Sequence, residues 1–164
     1  MMKSTNIFYA GIGARETPDD VLHLMYLLGR KLATDGYVLR SGHADGADLA
    51  FENGCDSVNG RKEIFQAKHA TLDSIEYASS FHDAWDKCTD YVKQLHGRNS
   101  MILLGEELMV PAGFVVCWTP RGLDVGGTGL GIRIAHSNRI KVINLYHHEW
   151  VVRIKKYLGI GDIY

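Results

Sequence analysis

The run Ser41-Gly42-His43-Ala44-Asp45-Gly46-Ala47-Asp48 gathers a hydroxyl, an imidazole and two carboxylates, and Glu52 follows four positions after Asp48. Residues four apart share one face of a helix, so Asp48 and Glu52 point the same way if a helix starts here. Acids in such a place do general acid–base work, or they complement the dipole of the helix they open. His43 reads equally as a proton donor and as an exposed turn residue. The glycines and the Ser41 hydroxyl add a second capability. Small residues let a backbone approach a ligand, and N–H groups at a helix start bind phosphate. Ser41, Gly42, His43 and Gly46 are therefore candidate ligand contacts. Asp48, Asp45 and Glu52 are the candidate catalytic acids, with Glu16 a weaker one.

Two more glycine turns repeat the pattern. Gly11-Ile12-Gly13-Ala14-Arg15-Glu16 begins like a dinucleotide fingerprint, but Glu16 stands where its third glycine falls. Arg40-Ser41 replaces the acid that would hold a ribose diol, which disfavours a conventional NAD site. Gly11, Gly13 and the planar fork of Arg15 remain suited to phosphate. Gly126-Gly127-Thr128-Gly129 reads as a nest of N–H groups opening a helix. Trp118 and Thr119 end the strand before it, with Trp118 placed either to stack on a base or to fill the core. His96-Gly97-Arg98-Asn99 reads as a break between two helices, from which Arg98 and Asn99 reach the site from the side.

Several other chemistries lack their signatures. The chain has no G-x-x-x-x-G-K-[ST] phosphate loop and no G-x-S-x-G nucleophile elbow. His147-His148-Glu149 lacks the spacing of a helical zinc motif, and Cys55, Cys88 and Cys117 are widely spaced and odd in number. Neither a metal site, a disulfide framework nor a cofactor is expected.

The elements that must carry these turns alternate between strand and helix. Apolar runs predict strands at Ile7 to Gly11, Tyr37 to Arg40, Lys62 to Gln66, Phe114 to Trp118 and Ile140 to Leu145. Thr17 as N-cap, Pro18 at the first helical position and two following acids predict a helix start, continued by Val21, Leu24, Met25, Leu28 and Leu32. Further helices are expected at about 44–55, 83–96, 99–104, 126–138 and 149–158, with a loop and a short helix over 67–80. Such alternation makes an α/β fold, a Rossmann-like, doubly wound and mainly parallel sheet with helices on both faces. Its strand ends then place all three glycine turns along one edge, the usual ligand edge of such folds.

Composition narrows the class. The chain has 164 residues, 46% hydrophobic and 23% charged, which suits one globular domain. A net charge of −1 is unlike an electrostatic binder of nucleic acid. No apolar run approaches the roughly 20 residues that span a bilayer. The opening Met1-Met2-Lys3-Ser4-Thr5-Asn6 has no signal-peptide apolar region, so a cytoplasmic location is expected.

Taken together, these motifs resemble the SLOG superfamily, which includes the lysine-decarboxylase-like LOG proteins, the YpsA-type proteins and the Rossmann-like domain of DNA-processing protein A. The run from Ser41 to Asp48 matches its S-G-x-A-x-G-[AI]-D pattern at every fixed position. Gly11 to Arg15 is similar to its first glycine turn, and Gly126 to Gly129 to its glycine-rich helix start. His96 to Met101 resembles the H-E-R-K-x-x-M run of LOG proteins. The resemblance implies binding of a nucleotide or nucleotide-derived ligand, with homo-oligomers plausible. LOG relatives cleave the N-glycosidic bond of nucleoside monophosphates, which makes this chain a candidate hydrolase. The chain departs from them after the third turn, where Leu130-Gly131-Ile132-Arg133 offers no acid and no proline precedes the glycines. Two further readings stay open: a sensor that binds without turnover, and a protein of single-stranded DNA.

Overall fold

The computed structural model describes residues 7–161, so the opening run lies outside the described residues. The elements are β1 (Ile7–Gly11), α1 (Asp19–Thr34), β2 (Tyr37–Ser41), α2 (Ala47–Asp56), β3 (Lys62–Ile64), α3 (Leu72–Ser79), α4 (Asp90–Leu104), β4 (Phe114–Cys117), α5 (Gly126–Ser137), β5 (Lys141–Asn144) and α6 (His148–Leu158). The strands form one sheet in the order β3-β2-β1-β4-β5, and every neighbouring pair is parallel. The expected doubly wound α/β architecture is thus present.

Strand residues alternate between two cores because successive side chains leave opposite faces. Ala10, Val115 and Cys117 pack with Met101 and Leu103 of α4 and Leu130 and Ile134 of α5. Tyr9, Leu39 and Val116 pack with α1, with Phe51 of α2 and with Ile154 of α6. Both faces are covered, which explains why β1 and β4 are apolar throughout. Among the described residues no helix is long and apolar enough to cross a membrane.

Element boundaries differ from the sequence reading in two instructive places. Pro18, not Thr17, is the N-cap of α1, and the Thr17 hydroxyl donates to the Ala14 carbonyl at 2.6 Å. The hydroxyl therefore fastens the first glycine turn. The two helices expected at 83–96 and 99–104 are one helix, α4, capped by Thr89 accepting the Val92 N–H at 3.2 Å. Gly97 does not break it. A Cβ there would lie 2.7 Å from Ile75 Cγ1 and 3.0 Å from Ser74 Oγ, so the glycine serves a close approach of α3 to α4. Upstream, residues 83–89 hold only the short 3₁₀ turn Trp85–Lys87.

Candidate functional site

A parallel sheet places the carboxyl ends of its strands on one edge. From β1 the chain winds through β2 to β3, then returns to β4 on the other side of β1, so the strand order reverses between β1 and β4. That reversal opens the crevice in which open α/β sheets receive ligands. The first turn runs along it. Ile12 N–H donates to Val116 and Ala14 N–H to Trp118, each at 3.1 Å. Gly13 brings the turn against α2, since a Cβ there would sit 2.5 Å from the Ala47 Cβ. Arg15 is exposed beyond it and makes no hydrogen bond or ion pair to a described residue.

The second turn is built around Asp48. Gly46, the N-cap of α2, adopts φ 92° and ψ −120°, which only glycine takes without strain. The turn brings the N–H groups of Gly42 and Ala44 to Asp48 Oδ2, at 3.2 and 3.4 Å. Burial pushes the Asp48 carboxyl up to about 6, against the opposing charge of Arg98 and those two N–H bonds. Asp45, by contrast, is exposed.

Two adjacent residues of α4 join the second turn to the third. Arg98 Nη1 donates to the Gly42 carbonyl at 2.9 Å and to that of Phe65 at 3.4 Å, and its Nε donates to Asn99 Oδ1 at 2.8 Å. Asn99 Nδ2 donates in turn to the Gly127 carbonyl at 3.2 Å. Burial lowers the Arg98 pKa, and nearby Asp48 works against that. Arg98 and Asn99 thus lie beside the glycine turns as expected, but from inside a continuous helix.

At the third turn, α5 begins after Val125, whose side chain gives no cap. Gly129 N–H, bonded to the Val125 carbonyl at 2.9 Å, makes the first intrahelical bond. The N–H groups of Gly126, Gly127 and Thr128 precede it and have no intrahelical acceptor, so they form the positive end of the helix. Gly126 has φ 67°, and a Cβ on Gly129 would strike the Asp124 backbone. Gly127 is open: among the described residues only Asn99 Nδ2, 3.6 Å away, would touch a Cβ there.

Four expectations need correcting. The Ser41 hydroxyl is fully buried and donates to the Gly11 carbonyl at 2.6 Å, which ties β2 to β1. Thr119 is also fully buried, its Oγ1 accepting from Asn144 Nδ2 at 2.7 Å. Neither hydroxyl is presented to a ligand. Glu52 is engaged on both oxygens, with His43 Nδ1 at 2.7 Å and Lys62 Nζ at 2.8 Å. Burial raises its pKa, but the hydrogen bonds from Lys62 and His43 outweigh this and hold it below the ordinary value. A carboxylate so held is a poor acid; it fixes His43 through Nδ1 and leaves that side chain 51% exposed. Finally, the N–H groups of Gly42 and Ala44 serve Asp48 rather than a phosphate.

Trp118 is half-buried, packed on the α1–α2 core and 6.4 Å from the Tyr146 ring. Tyr146 is 46% exposed, follows β5 on the same edge and escaped the sequence reading. Its signal was available: it follows the end of a strand, as the glycine turns do. Depressions elsewhere, one lined by Thr71, Asp73 and Glu106 and another by Leu32, Phe114 and Ile154, include no glycine-turn residue. The candidate site is therefore an edge of backbone donors with the buried Asp48 beside it.

Comparisons with protein-family models, with curated proteins and with solved structures find no match to this chain.

Proposed function

We propose that this chain binds a nucleotide or nucleotide-derived ligand along the switch-point edge, with phosphate at the start of α5 and within reach of Arg15. The observation that carries this reading is the uncapped, glycine-opened start of α5 beside the β1–β4 reversal. Helix-start N–H groups and their dipole favour an anion there. Trp118 and Tyr146 flank the same edge and offer an apolar surface to a base. The motif resemblance to SLOG proteins points the same way.

Among the three candidate acids, Asp48 supports N-glycosidic hydrolysis best. Cleavage of that bond passes through an oxocarbenium-like state, helped by a group that gives or takes a proton near neutrality. An acid of pKa about 6 meets that need. Binding without turnover is the second reading, favoured by the two turn N–H groups that Asp48 already holds. Arg133 favours it too: at the end of the stretch where LOG proteins carry an acid, its guanidinium is tied to the carbonyls of Phe81 and Asp124.

Incubation with nucleoside monophosphates, cyclic nucleotides and ADP-ribose derivatives, followed by mass spectrometry of solution and denatured protein, tests both. Free base released by the wild type and not by Asp48→Asn supports hydrolysis. Intact nucleotide retained by the protein supports binding alone. The absence of both free base and retained nucleotide, with every compound tested, overturns the proposal.

A further inference from the structure

A second cluster of reactive side chains stands outside the glycine turns. The chain between α3 and α4 passes through the 3₁₀ turn Trp85–Lys87, with His82 before it and Cys88 after it. His96 faces them from the buried side of α4. One coordinating atom from each of His82, Cys88 and His96 lies within 4.8 Å of the other two. Cys88 Sγ is 3.6 Å from His82 Nε2. The rings of His82 and His96 are 5.1 Å apart, and the Trp85 ring lies 6.0 and 5.8 Å from them. His96 is only 8% exposed, and its Nδ1 is buried with no hydrogen-bond partner among the described residues. Buried polar atoms of that kind call for an explanation.

The Cys88–His82 spacing matches two ligands of one zinc ion, and an atom of His96 lies within 4.8 Å of both. Zinc binds thiolate at about 2.3 Å and imidazole at about 2.0–2.1 Å, so a tetrahedral angle sets sulfur and nitrogen about 3.6 Å apart. We propose that His82, Cys88 and His96 bind one zinc-class divalent cation through a thiolate and two imidazoles, leaving the fourth coordination position to water or another ligand. One sulfur and two imidazole nitrogens select a borderline-soft cation over magnesium or calcium, which prefer oxygen. Cys88 and His82 are half-exposed, which gives the cation a way in.

The proton balance is defined. Cys88 releases its thiol proton to solvent when it coordinates. His82 Nδ1 accepts the Ala84 N–H at 3.0 Å, so the imidazole proton sits on Nε2, facing Cys88. Coordination through Nε2 moves that proton to Nδ1 and breaks the contact with Ala84. One proton therefore leaves per cation, and the Ala84 peptide turns. The site would brace the irregular segment against α4, two residues before Arg98. Arg133 already joins this segment to the loop before α5, through Phe81 at 3.0 Å and Asp124 at 3.1 Å. Sequence spacing hid the group because His82-x5-Cys88-x7-His96 combines a loop with a helix. The proposal stands whether or not the glycine turns hold a nucleotide.

Cobalt titration of the full chain, stripped beforehand with a chelator, tests it. The wild type should take up one cobalt, with a thiolate-to-cobalt charge-transfer band and the intense visible bands of a four-coordinate ion. Cys88→Ser should lose the charge-transfer band. Competition against a chromophoric chelator should show His82→Ala weakening zinc binding by more than about 10–100-fold, the loss typical of an outer-shell change alone. No charge-transfer band in the wild type, its survival in Cys88→Ser, or unchanged affinity in His82→Ala overturns the proposal. If Cys88→Ser does not fold, alkylation of the wild type decides. Zinc should slow modification of Cys88, mapped by mass spectrometry, and an equal rate with and without zinc overturns the site.

Discussion

Arg98 holds the Gly42 carbonyl at 2.9 Å, and it can do so only because Gly42 has no side chain. A Cβ at position 42 would collide with the Arg98 guanidinium and lie 2.8 Å from Asp48 Oδ2. Two charged groups of opposite sign thus press on one glycine, from α4 and from α2. The turn that faces the crevice is clamped between them.

Gly42→Ala should therefore destabilise the fold by about 1–3 kcal/mol, the usual range for forcing a methyl into filled space. Part of the strain comes from Arg98, so Gly42→Ala with Arg98→Ala should lose less than the two single changes added together. Urea denaturation of the four proteins gives the coupling. Strict additivity would mean that Arg98 simply swings aside.

Asp48 makes a pH prediction whose sign follows from its burial. Its pKa rises from 3.8 unfolded to about 6 folded. The folded state then binds more protons than the unfolded state between those values, so this group's contribution is fully present below about pH 4 and is lost as pH rises through about 6. A shift of about two units corresponds to roughly 3 kcal/mol. Asp48→Asn has no such titration. Its stability relative to wild type should improve by up to roughly 3 kcal/mol between pH 4 and pH 7, read from chemical denaturation at each pH. A difference independent of pH would show that the carboxyl titrates normally.

The layered fold was legible because its information is local. The apolar runs at Phe8 to Gly11 and Val115 to Cys117 and the period of Leu24, Leu28 and Leu32 state their own geometry. The edge carrying the three glycine turns followed from chain order alone. What the sequence concealed depends on partners far along the chain. Nothing near Ser41 announces that its hydroxyl faces Gly11, and nothing near Thr119 announces Asn144. Glu52 looked like a free acid because its partner Lys62 lies on the neighbouring strand β3.

Gly97 shows the same limit and tests it. Read locally, a glycine inside a helix costs about 1 kcal/mol relative to alanine, so Gly97→Ala should stabilise. Read in the fold, the new Cβ falls 2.7 Å from Ile75 Cγ1 and 3.0 Å from Ser74 Oγ. Overpacking of about 1–3 kcal/mol then exceeds the propensity gain, or at least cancels it. Gly97→Ala should be no more stable than wild type and should loosen α3 from α4, seen as faster amide exchange in residues 72–79. A clear rise in melting temperature would return Gly97 to a purely local role.

Gly127→Asp separates the fold from the proposed ligand. The position has room, since among the described residues a Cβ there would meet only Asn99 Nδ2 at an ordinary 3.6 Å. An acid in the first turn of α5 complements the helix dipole, worth about 0.3–1 kcal/mol at a helix start. The variant should thus match or slightly exceed the wild type in melting temperature. The same carboxylate occupies the N–H groups that a phosphate would use and repels it. Calorimetric titration with a nucleotide that the wild type retains should show binding lost in Gly127→Asp. Equal affinity in a folded variant would remove the start of α5 from the site and leave the exposed Arg15 as the group that meets the anion.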